Sequence, residues 1–565
     1  MKKTGSQILL ECLRLEGVET VFGYPGGTVI NIYNDLMDSP IQHVLNRHEQ
    51  AAVHAADAYS RVTGKVGVAI ATSGPGATNT VTGIATAYMD SIPMVIICGQ
   101  VPTPLIGNDA FQEADMIGIT RPVTKHNYLV RDVKDLARIV KQAFYIARTG
   151  RPGPVLIDLP KDVQMDSAVF EYPDDIDLRG YKPTVAANPP QLRKAIKMIL
   201  AARKPVIYVG GGATLSDVSE DLLAFAEAIQ APVTTTLMAM ATFPQTHPLC
   251  VGMLGMHGTF YANMAVTNSD LLIALGARFD DRVTGKIATF APHAKIIHVD
   301  VDPTSIKKNV RVDLPLVGML QDVLPRLNEG LQQHASEVQD VVTATQGWRE
   351  QIAQWKEQHP MSYKQTKTVI KPQYVIEKIR ELTNDDAIIA TEVGQHQMWT
   401  AQFFDFIKPR TFVTSGGLGT MGYGLPAALG AQVAFPDRQV IDISGDGSFQ
   451  MNSQELATLV QYRLPVKIVI LNNNFLGMVR QWQQLFFDKR YSQTCMELPI
   501  DFVKLAEAYG ASGFRATTPD EVEAVIKKGL ETPGPVIMEF KVAREENVLP
   551  MVPAGAGLNE MVLAS

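Results

Sequence analysis

The sequence predicts an α/β protein of three doubly wound domains, each built around a parallel β-sheet. The chain has 565 residues, which is too many for one hydrophobic core. Short apolar runs alternate along it with segments of helical period, and wholly apolar strands are what a parallel sheet covered on both faces requires. The repeated β-α-β order is typical of doubly wound folds.

Eight of the apolar runs are predicted to be strands because each is short, rich in β-branched residues and bounded by Gly, Pro or polar residues. In chain order they are residues 66–72, 94–99, 154–160, 205–212, 271–278, 295–302, 439–447 and 466–474.

Two shifts in composition predict the domain boundaries. Residues 163–190 are polar and rich in proline, and residues 333–372 are charged with little strand signal, so both are predicted to be linkers, the second of them helical. The predicted domains, of ordinary size, are residues 1–165, 190–335 and 370–550.

A short internal repeat relates the first domain to the third. The segments RPGPVLIDLP (151–160) and TPGPVIMEFK (532–541) share Pro-Gly-Pro-Val followed by an apolar run and an acidic residue. The match covers only four identical residues. It nevertheless predicts that the two outer domains are copies of one fold, with a different domain between them.

Composition argues against several classes of function. The net charge of −7 and the lack of a basic stripe disfavour nucleic-acid binding. The four cysteines are widely separated and form no zinc or redox motif, which fits a reduced, cytoplasmic compartment. No apolar run reaches the length of a membrane span, and residues 1–22 resemble an amphipathic helix, not a signal peptide. We therefore expect a cytoplasmic enzyme that acts on small molecules.

Polar residues follow two of the predicted strands. A Gly-Asp-Gly-Ser segment, 445–448, ends one strand, and Asn473 ends the next. The carboxyl edge of such a sheet is where α/β folds bind ligands, and glycines there let backbone N–H groups approach a phosphate. A carboxylate, an amide and a nearby carbonyl are oxygen ligands that suit Mg²⁺. Taken alone, the same residues could equally be polar strand ends in turns.

The pairing of the two segments is more specific. Gly-Asp-Gly-Ser followed by Asn-Asn, with Asp446 and Asn473 27 residues apart, resembles the motif of thiamine-diphosphate-dependent enzymes. That resemblance implies that Asp446, Asn473 and the backbone carbonyl of Phe475 bind Mg²⁺ on the diphosphate. It also implies a thiamine-diphosphate-binding fold for the outer domains.

The segment RHEQAA (47–52) resembles the one that supplies the catalytic glutamate of these enzymes. A lone glutamate at a helix start is usually only a favourable first-turn charge. The resemblance instead implies that Glu49 acts on the aminopyrimidine N1′ atom and so promotes loss of the C2 proton. In these enzymes the glutamate and the diphosphate site meet across a dimer interface, so we expect a homodimer or a tetramer.

Similar segments extend through nearly the whole chain and resemble the acetohydroxyacid synthase large-subunit family. They include TSGPGATN (72–79), GARFDDRVTGK (276–286), SGGLGTMGYGLPAA (415–428) and GMVRQWQQLFF (477–487). The resemblance implies a transferase-type carboligase that decarboxylates pyruvate on thiamine diphosphate. The hydroxyethyl carbanion then adds to pyruvate or 2-ketobutyrate, giving 2-acetolactate or 2-aceto-2-hydroxybutyrate, the first common step of valine, leucine and isoleucine synthesis. It also implies a small regulatory subunit.

The same resemblance implies a set of cofactor contacts and an FAD-type middle domain. The flavin would be structural, because the net reaction moves no electrons. The contacts with thiamine diphosphate are Glu49, Gln395, His396, Gly419, Met421, Gly445, Asp446, Gly447, Ser448 and Asn473. The contacts with FAD are Arg151, Gly211, Gly212, Met256, His257, Arg278 and Asp300.

The resemblance also implies a set of substrate contacts, and the reaction explains what two of them must recognise. An arginine can bind the acceptor carboxylate through two hydrogen bonds, and Arg278 is the predicted residue. The two acceptors differ by one methylene, which a hydrophobic wall formed by Trp482 would recognise. The remaining predicted contacts are Gly27, Phe111, Gln112, Lys161 and Met478.

Four alternatives stay open at this point. A thiamine- and flavin-dependent pyruvate oxidase would share the three-domain plan but need a redox-active flavin. A glyoxylate carboligase lacks a glutamate at the position of Glu49. A flavin-free acetolactate synthase lacks a segment similar to RFDDR (278–282). A non-catalytic scaffold would need neither Glu49 nor Asp446.

Overall fold

A computed structural model of the chain describes residues 2–496 and 500–563. Its core consists of three six-stranded sheets in which all paired strands run parallel, with helices between successive strands. The predicted fold class is therefore confirmed.

The first sheet and its helices occupy the N-terminal part of the chain, where a short antiparallel pair, β1 with β8, flanks the main sheet. The strands are β1 Lys2–Thr4, β2 Thr20–Tyr24, β3 Gln42–Leu45, β4 Gly67–Ala71, β5 Met94–Gln100, β6 His126–Leu129, β7 Pro154–Pro160 and β8 Ser167–Val169. The helices are α1 Gly5–Leu15, α2 Ile30–Leu36, α3 Glu49–Thr63, α4 Pro75–Asn79, α5 Val81–Asp90, α6 Met116–Thr120, α7 Leu136–Arg148 and α8 Lys161–Met165.

The second sheet forms the middle of the chain. Its strands are β9 Pro205–Val209, β10 Val233–Thr235, β11 Cys250–Met253, β12 Leu271–Leu275, β13 Lys295–Asp300 and β14 Leu314–Val317. The accompanying helices are α9 Pro189–Leu200, α10 Gly211–Leu215, α11 Ser219–Ile229, α12 Phe260–Asn268, α13 Asp281–Thr284, α14 Leu320–Gln332, α15 Ala335–Ala344 and α16 Gln346–Gln358.

The third sheet lies in the C-terminal part. Its strands are β15 Ile388–Thr391, β16 Phe412–Val413, β17 Val440–Gly445, β18 Lys467–Asn472, β19 Ser512–Ala516 and β20 Val536–Lys541. Its helices are α17 Pro372–Leu382, α18 Gln395–Phe403, α19 Gly424–Ala434, α20 Asp446–Phe449, α21 Glu455–Gln461, α22 Gly477–Phe486, α23 Phe502–Tyr509 and α24 Pro519–Glu531.

Strand order shows that the two outer sheets share one topology. The first sheet has the order β3-β2-β4-β5-β7-β6 and the third has β16-β15-β17-β18-β20-β19, which is the same permutation. The middle sheet has the order β11-β10-β9-β12-β13-β14, the arrangement typical of dinucleotide-binding folds. The Pro-Gly-Pro-Val segments precede β7 and β20, which occupy equivalent positions in their sheets.

The outer domains pack on each other through α3 and α19, helices that follow equivalent strands. Both are rich in alanine and almost wholly buried, and α19 also contains Gly424 and Gly430. The two backbones approach so closely that a Cβ on Gly430 would lie 2.0 Å from the Ala55 carbonyl oxygen. Small residues are therefore required at this contact, because a larger side chain would separate the helices.

Three local features differ from the sequence-based expectation. The N-terminal segment is not one helix, because the strands β1 and β2 flank α1. The helices α15 and α16 of the second predicted linker pack on the middle sheet, where Trp348 Nε1 donates to the Pro205 carbonyl at 3.2 Å. The sequence predicts a helix that begins near Asn452 after β17, whereas the chain makes the short helix α20 at once and begins α21 only at Glu455. Within the described ranges, no helix is long and apolar enough to cross a membrane.

Candidate active site

The first half of the candidate site lies at the carboxyl edge of the third sheet. The strands β15, β17 and β18 are neighbours, with Thr391 opposite Ile443 and Gly445 opposite Leu471. Strand order reverses between β15 and β17, and such a switch point opens a crevice for ligands. The residues that follow these strands therefore converge on one place.

Asp446 and Asn473 are both buried at this edge. Burial raises the pKa of the Asp446 carboxyl to about 7, although the backbone N–H of Asn473 opposes the shift. The Asn473 amide accepts from the Phe475 backbone N–H at 3.0 Å and donates to Gln395 at 3.4 Å. Asp446, Asn473, Phe475 and Gln395 thus form one cluster at the edge of the sheet.

This cluster has the properties that a metal-bound diphosphate requires. A nearby divalent cation would favour the ionised form of the buried Asp446 carboxyl, which burial alone disfavours. His396 is buried, its pKa is lowered to about 3 by desolvation, and its Nε2 atom has no hydrogen-bond partner. A Cβ on Gly445 would lie 2.8 Å from His396 Nδ1, so this glycine leaves the imidazole room. Ser448 is also buried beside it and donates to the Gly445 carbonyl at 3.3 Å.

The described residues contain no group of three or more His, Cys, Asp and Glu side chains that could bind a metal. The predicted ligand set does not need one. It consists of one carboxylate, one amide and one backbone carbonyl, and Mg²⁺ commonly takes phosphate oxygens and water for its other positions.

Glu49 is the first residue of α3 and lies in the N-terminal domain. Its carboxylate is buried and accepts from Asn79 Nδ2 at 3.0 Å. A Cβ on Gly76 would lie 3.1 Å from its Oε1 atom, so the Gly-Pro-Gly turn approaches the carboxylate closely. His48 caps the helix by accepting from the backbone N–H of Gln50. The side chain of Glu49 is therefore fixed by its own domain.

A large cavity of about 930 Å³ is lined by residues of all three domains. Eleven of the predicted site residues line it. They are Arg151, Gly211, Gly212, Met256, His257, Arg278 and Asp300 from the flavin set, Gly419 and Met421 from the thiamine set, and Met478 and Trp482 from the substrate set.

The glycine loops of the middle domain form one wall of this cavity. They follow β9 and β12, the adjacent strands at which the order of the middle sheet reverses. A Cβ on Gly210 would lie 2.2 Å from the Gly276 carbonyl oxygen, and Gly276 has a φ of +61°. Glycine is thus required at both positions, because the two loops touch through their backbones.

The C-terminal end of α5 binds two arginines of the cavity wall. The Met89 carbonyl accepts from Arg278 Nη1 at 2.6 Å, and Ser91 Oγ accepts from Arg151 Nε at 2.8 Å. Asp90 lies between them and lines the same cavity. The two arginines predicted to contact FAD are therefore anchored two residues apart, on Met89 and Ser91, at one helix end.

Sequence reasoning missed Arg282, which also lines the cavity. Its side chain is 60% exposed and its guanidinium carbon lies 5.8 Å from the centre of the Trp482 ring. Arg278, the predicted carboxylate ligand, instead pairs with Asp280 at 2.8 Å and with the Met89 carbonyl. Arg282 is the second arginine of the segment 278–282. The sequence motif therefore includes both arginines, but it does not show which of them binds the carboxylate.

The helix α22 carries Met478 and Trp482, and a second missed feature fixes its position. Gln481 exchanges two hydrogen bonds with the Val548 backbone, at 3.0 and 2.8 Å, and accepts from Gln395 at 2.9 Å. The fully buried Arg480 donates to the Glu546 carbonyl at 2.6 Å. The helix is therefore attached both to the diphosphate cluster and to the segment that follows β20.

Two groups of predicted residues do not line this cavity, namely the sheet-edge cluster around Asp446 and five residues of the N-terminal domain. Phe111 is 88% exposed, and Gln112 beside it has a φ of +59°. A Cβ on Gly27 would meet no atom within 4 Å. Lys161 and Glu49 also do not line the cavity. Within one chain, these five N-terminal residues thus do not share a cavity with Gly419 and Met421.

Comparison with protein-family models first defines the class. The chain matches the thiamine pyrophosphate enzyme N-terminal TPP binding domain over residues 3–119, the central domain over 192–327 and the C-terminal TPP binding domain over 392–540. Fold, sheet-edge cluster and family models thus agree on a thiamine-diphosphate-binding enzyme.

Full-length relatives narrow this class. The chain is 49% identical to the acetolactate synthase large subunit of Haemophilus influenzae, over 100% of this chain and 99% of that protein. It is 47% identical to the acetolactate synthase isozyme 3 large subunit of Escherichia coli (99% and 98%) and 50% identical to the large subunit of Corynebacterium glutamicum (100% and 90%). The chain belongs to the acetolactate synthase large-subunit family.

Proposed function

We propose that this chain is the catalytic subunit of an acetolactate synthase. It would condense two molecules of pyruvate, with loss of CO₂, to 2-acetolactate, or one pyruvate and one 2-ketobutyrate to 2-aceto-2-hydroxybutyrate. Full-length similarity to acetolactate synthase large subunits, together with an intact Glu49, Asp446 and Asn473, carries this proposal. Thiamine diphosphate supplies, when bound, the acidic carbon that attacks the keto group and the electron sink for decarboxylation.

The chain's own residues have distinct proposed roles. Asp446, Asn473 and the Phe475 carbonyl bind Mg²⁺, and His396, whose Nε2 atom has no partner in the chain, lies against the diphosphate. Glu49 holds a proton at the aminopyrimidine N1′ atom, and the buried setting of its carboxylate limits competition from water.

The middle domain is proposed to bind FAD in a structural role. The support is the strand order of a dinucleotide-binding fold and the glycine loops at its switch point, which face a cavity large enough for a flavin. Arg151 and Arg278 would contact the flavin. Asp300 ends β13 at the same edge of the sheet and lines the same cavity.

The substrate side of the cavity is proposed to lie between Arg282 and α22. Arg278 donates from both of its terminal nitrogens to protein acceptors, whereas Arg282 is exposed beside Trp482 and can offer two N–H groups to a carboxylate. We therefore propose Arg282, ahead of Arg278, as the ligand of the acceptor carboxylate. Trp482 and Met478 would contact the acceptor's alkyl group.

The assembly is proposed to be a homodimer or tetramer with a small regulatory subunit, in the cytoplasm. In one chain Glu49 does not line the cavity that contains Gly419 and Met421, and in the proposed assembly a second copy would bring Glu49 to the diphosphate site. The relatives' name "large subunit" supports a smaller partner. The four cysteines are unpaired thiols, as expected in a reducing compartment.

Product analysis tests the proposal. The purified chain is given pyruvate alone, then pyruvate with 2-ketobutyrate, while thiamine diphosphate, Mg²⁺ and FAD are added or withheld. We expect acetolactate and acetohydroxybutyrate only with thiamine diphosphate and Mg²⁺. Acetate with a reduced flavin, or free acetaldehyde, would contradict the proposed reaction.

A further inference from the structure

The segment 415–421, which we call the glycine loop, contains Gly419 and Met421, both predicted to contact the thiamine. It lies against α5 of the N-terminal domain. Asp90 accepts from the backbone N–H of Gly417 at 2.7 Å and from that of Gly416 at 3.2 Å. One turn earlier on the same face of α5, the Thr86 hydroxyl is 2.7 Å from the Thr420 hydroxyl. Two side chains of α5 therefore contact the loop.

The Asp90 carboxylate is itself fixed. It is buried and accepts from Arg61 Nη2 at 2.9 Å, and Arg61 is buried as well. Arg61 also donates to Asp57 at 2.6 Å and to the Thr414 carbonyl, directly before the loop, at 2.9 Å. Charge-assisted hydrogen bonds of this kind are the strong ones in proteins. The ion pair thus fixes both the start of the loop and the carboxylate that binds its first amides.

The glycines of the loop fit this contact. A Cβ on Gly417 would lie 2.8 Å from Asp90 Oδ1, and a Cβ on Gly416 would lie 2.3 Å from Met238 Sδ. A side chain at Gly417 would push the loop away from α5, and one at Gly416 would require Met238 to move. The two glycines are therefore explained by the close approach of α5 and the middle domain, in addition to any approach of a ligand.

The loop's own domain holds it only near its ends, where Gln397 Nε2 donates to the Ser415 carbonyl at 3.1 Å. Thr420 N donates to Ser415 within the loop, at 3.0 Å, and the adjacent Gly422 N donates to Glu392 at 2.6 Å. In the described part of the chain, residues 415–421 belong to no helix or strand and make no backbone–backbone hydrogen bond. Removal of the α5 contacts would leave the loop free to move.

We propose that Asp90, assisted by Thr86, is a positioning residue for the thiamine site. It restricts the motion of the glycine loop before any cofactor binds, so that less conformational entropy is lost when Gly419 and Met421 contact the thiamine. This inference rests on the proposed function, because it assumes that the loop contacts thiamine diphosphate. Asp90 itself touches the loop backbone and is not a catalytic residue.

The test compares Asp90→Asn with a matched control in the full-length chain. The variant keeps the size of the side chain but places an N–H₂ group against Arg61 or against a loop amide. Asp270→Asn is the control, because Asp270 also accepts from two consecutive backbone N–H groups, those of Arg203 and Lys204, both at 2.8 Å, in the middle domain. Thr86→Val removes the second contact and is a milder change.

Two measurements are made on each variant. Amide hydrogen exchange of residues 415–421 is followed by mass spectrometry in the absence of cofactors, and thiamine diphosphate affinity is measured by calorimetry with saturating Mg²⁺. We expect Asp90→Asn to speed exchange in the loop and to raise the Kd about tenfold, equivalent to ~1.4 kcal/mol. Thr86→Val should do the same to a smaller extent, and Asp270→Asn should change neither value.

The outcomes separate this inference from the proposed function. If Asp90→Asn and Thr86→Val both leave loop exchange and Kd unchanged, the inference is wrong. If Asp90→Asn does not fold, the loop exchange and the Kd of Thr86→Val decide whether the inference holds. If the unmodified chain binds no thiamine diphosphate, the proposed function fails and the positioning role fails with it. A fall in affinity for Asp270→Asn as large as that for Asp90→Asn would indicate general destabilisation and would also overturn the inference.

Discussion

Replacing Arg282 and Arg278 separately by glutamine will identify the ligand of the acceptor carboxylate. The two arginines are four residues apart, but their surroundings differ. Arg282 is mostly exposed, and its ion pair with Asp281 is exposed as well. Arg278 is largely buried and bonded to Asp280 and to the Met89 carbonyl.

The expected magnitudes follow from these contacts. Arg282→Gln loses a charge-assisted interaction with the substrate of about 1.5–3 kcal/mol, and kcat/KM for the acceptor should fall about 10- to 150-fold. Its effect on stability should be small, because the lost cation–π contact with Trp482 contributes only about 0.5–1 kcal/mol and exposed ion pairs contribute little. Arg278→Gln leaves partners unpaired and should lower the free energy of unfolding by about 1–3 kcal/mol.

The assay measures acetohydroxybutyrate formation against 2-ketobutyrate concentration at fixed pyruvate, with urea unfolding of each variant. Arg282→Lys is included because a lysine keeps the charge but loses bidentate geometry, so it should recover only part of the activity. If Arg282→Gln keeps kcat/KM within about twofold while Arg278→Gln lowers it with unchanged stability, the assignment to Arg282 is refuted.

Three further predictions concern the two halves of the thiamine site. Glu49→Gln should leave the melting temperature unchanged but slow C2 deuterium exchange of bound thiamine diphosphate by at least about 10²-fold, as followed by NMR. Exchange at the normal rate would show that Glu49 does not act on the aminopyrimidine N1′ atom. Trp482→Leu should lower the preference for 2-ketobutyrate over pyruvate by up to about tenfold, and an unchanged product ratio would show that Trp482 only packs against its neighbours. Because burial raises the pKa of Asp446 to about 7 and Mg²⁺ requires the carboxylate, apparent Mg²⁺ affinity should fall about tenfold per pH unit below pH 7 and level off above it. In the metal-free chain the same raised pKa means that the native state holds this proton more tightly than the unfolded chain, so the contribution of Asp446 to stability should decline as pH rises from about 4 to 7. Asp446→Asn should remove both dependences, and a pH-independent Mg²⁺ titration of the unmodified chain would contradict the assignment.

Regular features of the fold were predictable from the sequence. All eight apolar runs are strands, and residues 154–160 form β7 over the full predicted length, because buried parallel strands require continuous apolar side chains. The ends of elements were less predictable. Residues 1–22 have one apolar periodicity, yet tertiary pairing of β1 with β8 and of β2 within the first sheet divides the segment.

Site residues that depend on long-range contacts were not predictable. Asp90 has no motif of its own, and its role depends on a loop more than 320 positions away that α5 happens to meet. Gln481 lies inside a motif, but its partner Val548 belongs to a segment without a sequence signal. Local pattern gives residue types and spacing, whereas these assignments require knowing which distant backbones meet.

The contacts at the end of α5 connect the proposed flavin site with the proposed thiamine site, and this connection bears on cofactor affinity. Met89, Asp90 and Ser91 are covalently consecutive, and they bind Arg278, the glycine loop and Arg151 respectively. A flavin that ordered the two arginines would therefore reduce the entropy that thiamine diphosphate must still remove from the loop. By reciprocity, each cofactor would raise the affinity for the other by the same factor. A flavin that exchanges no electrons could then still be required for activity, as an entropic effector of the thiamine site.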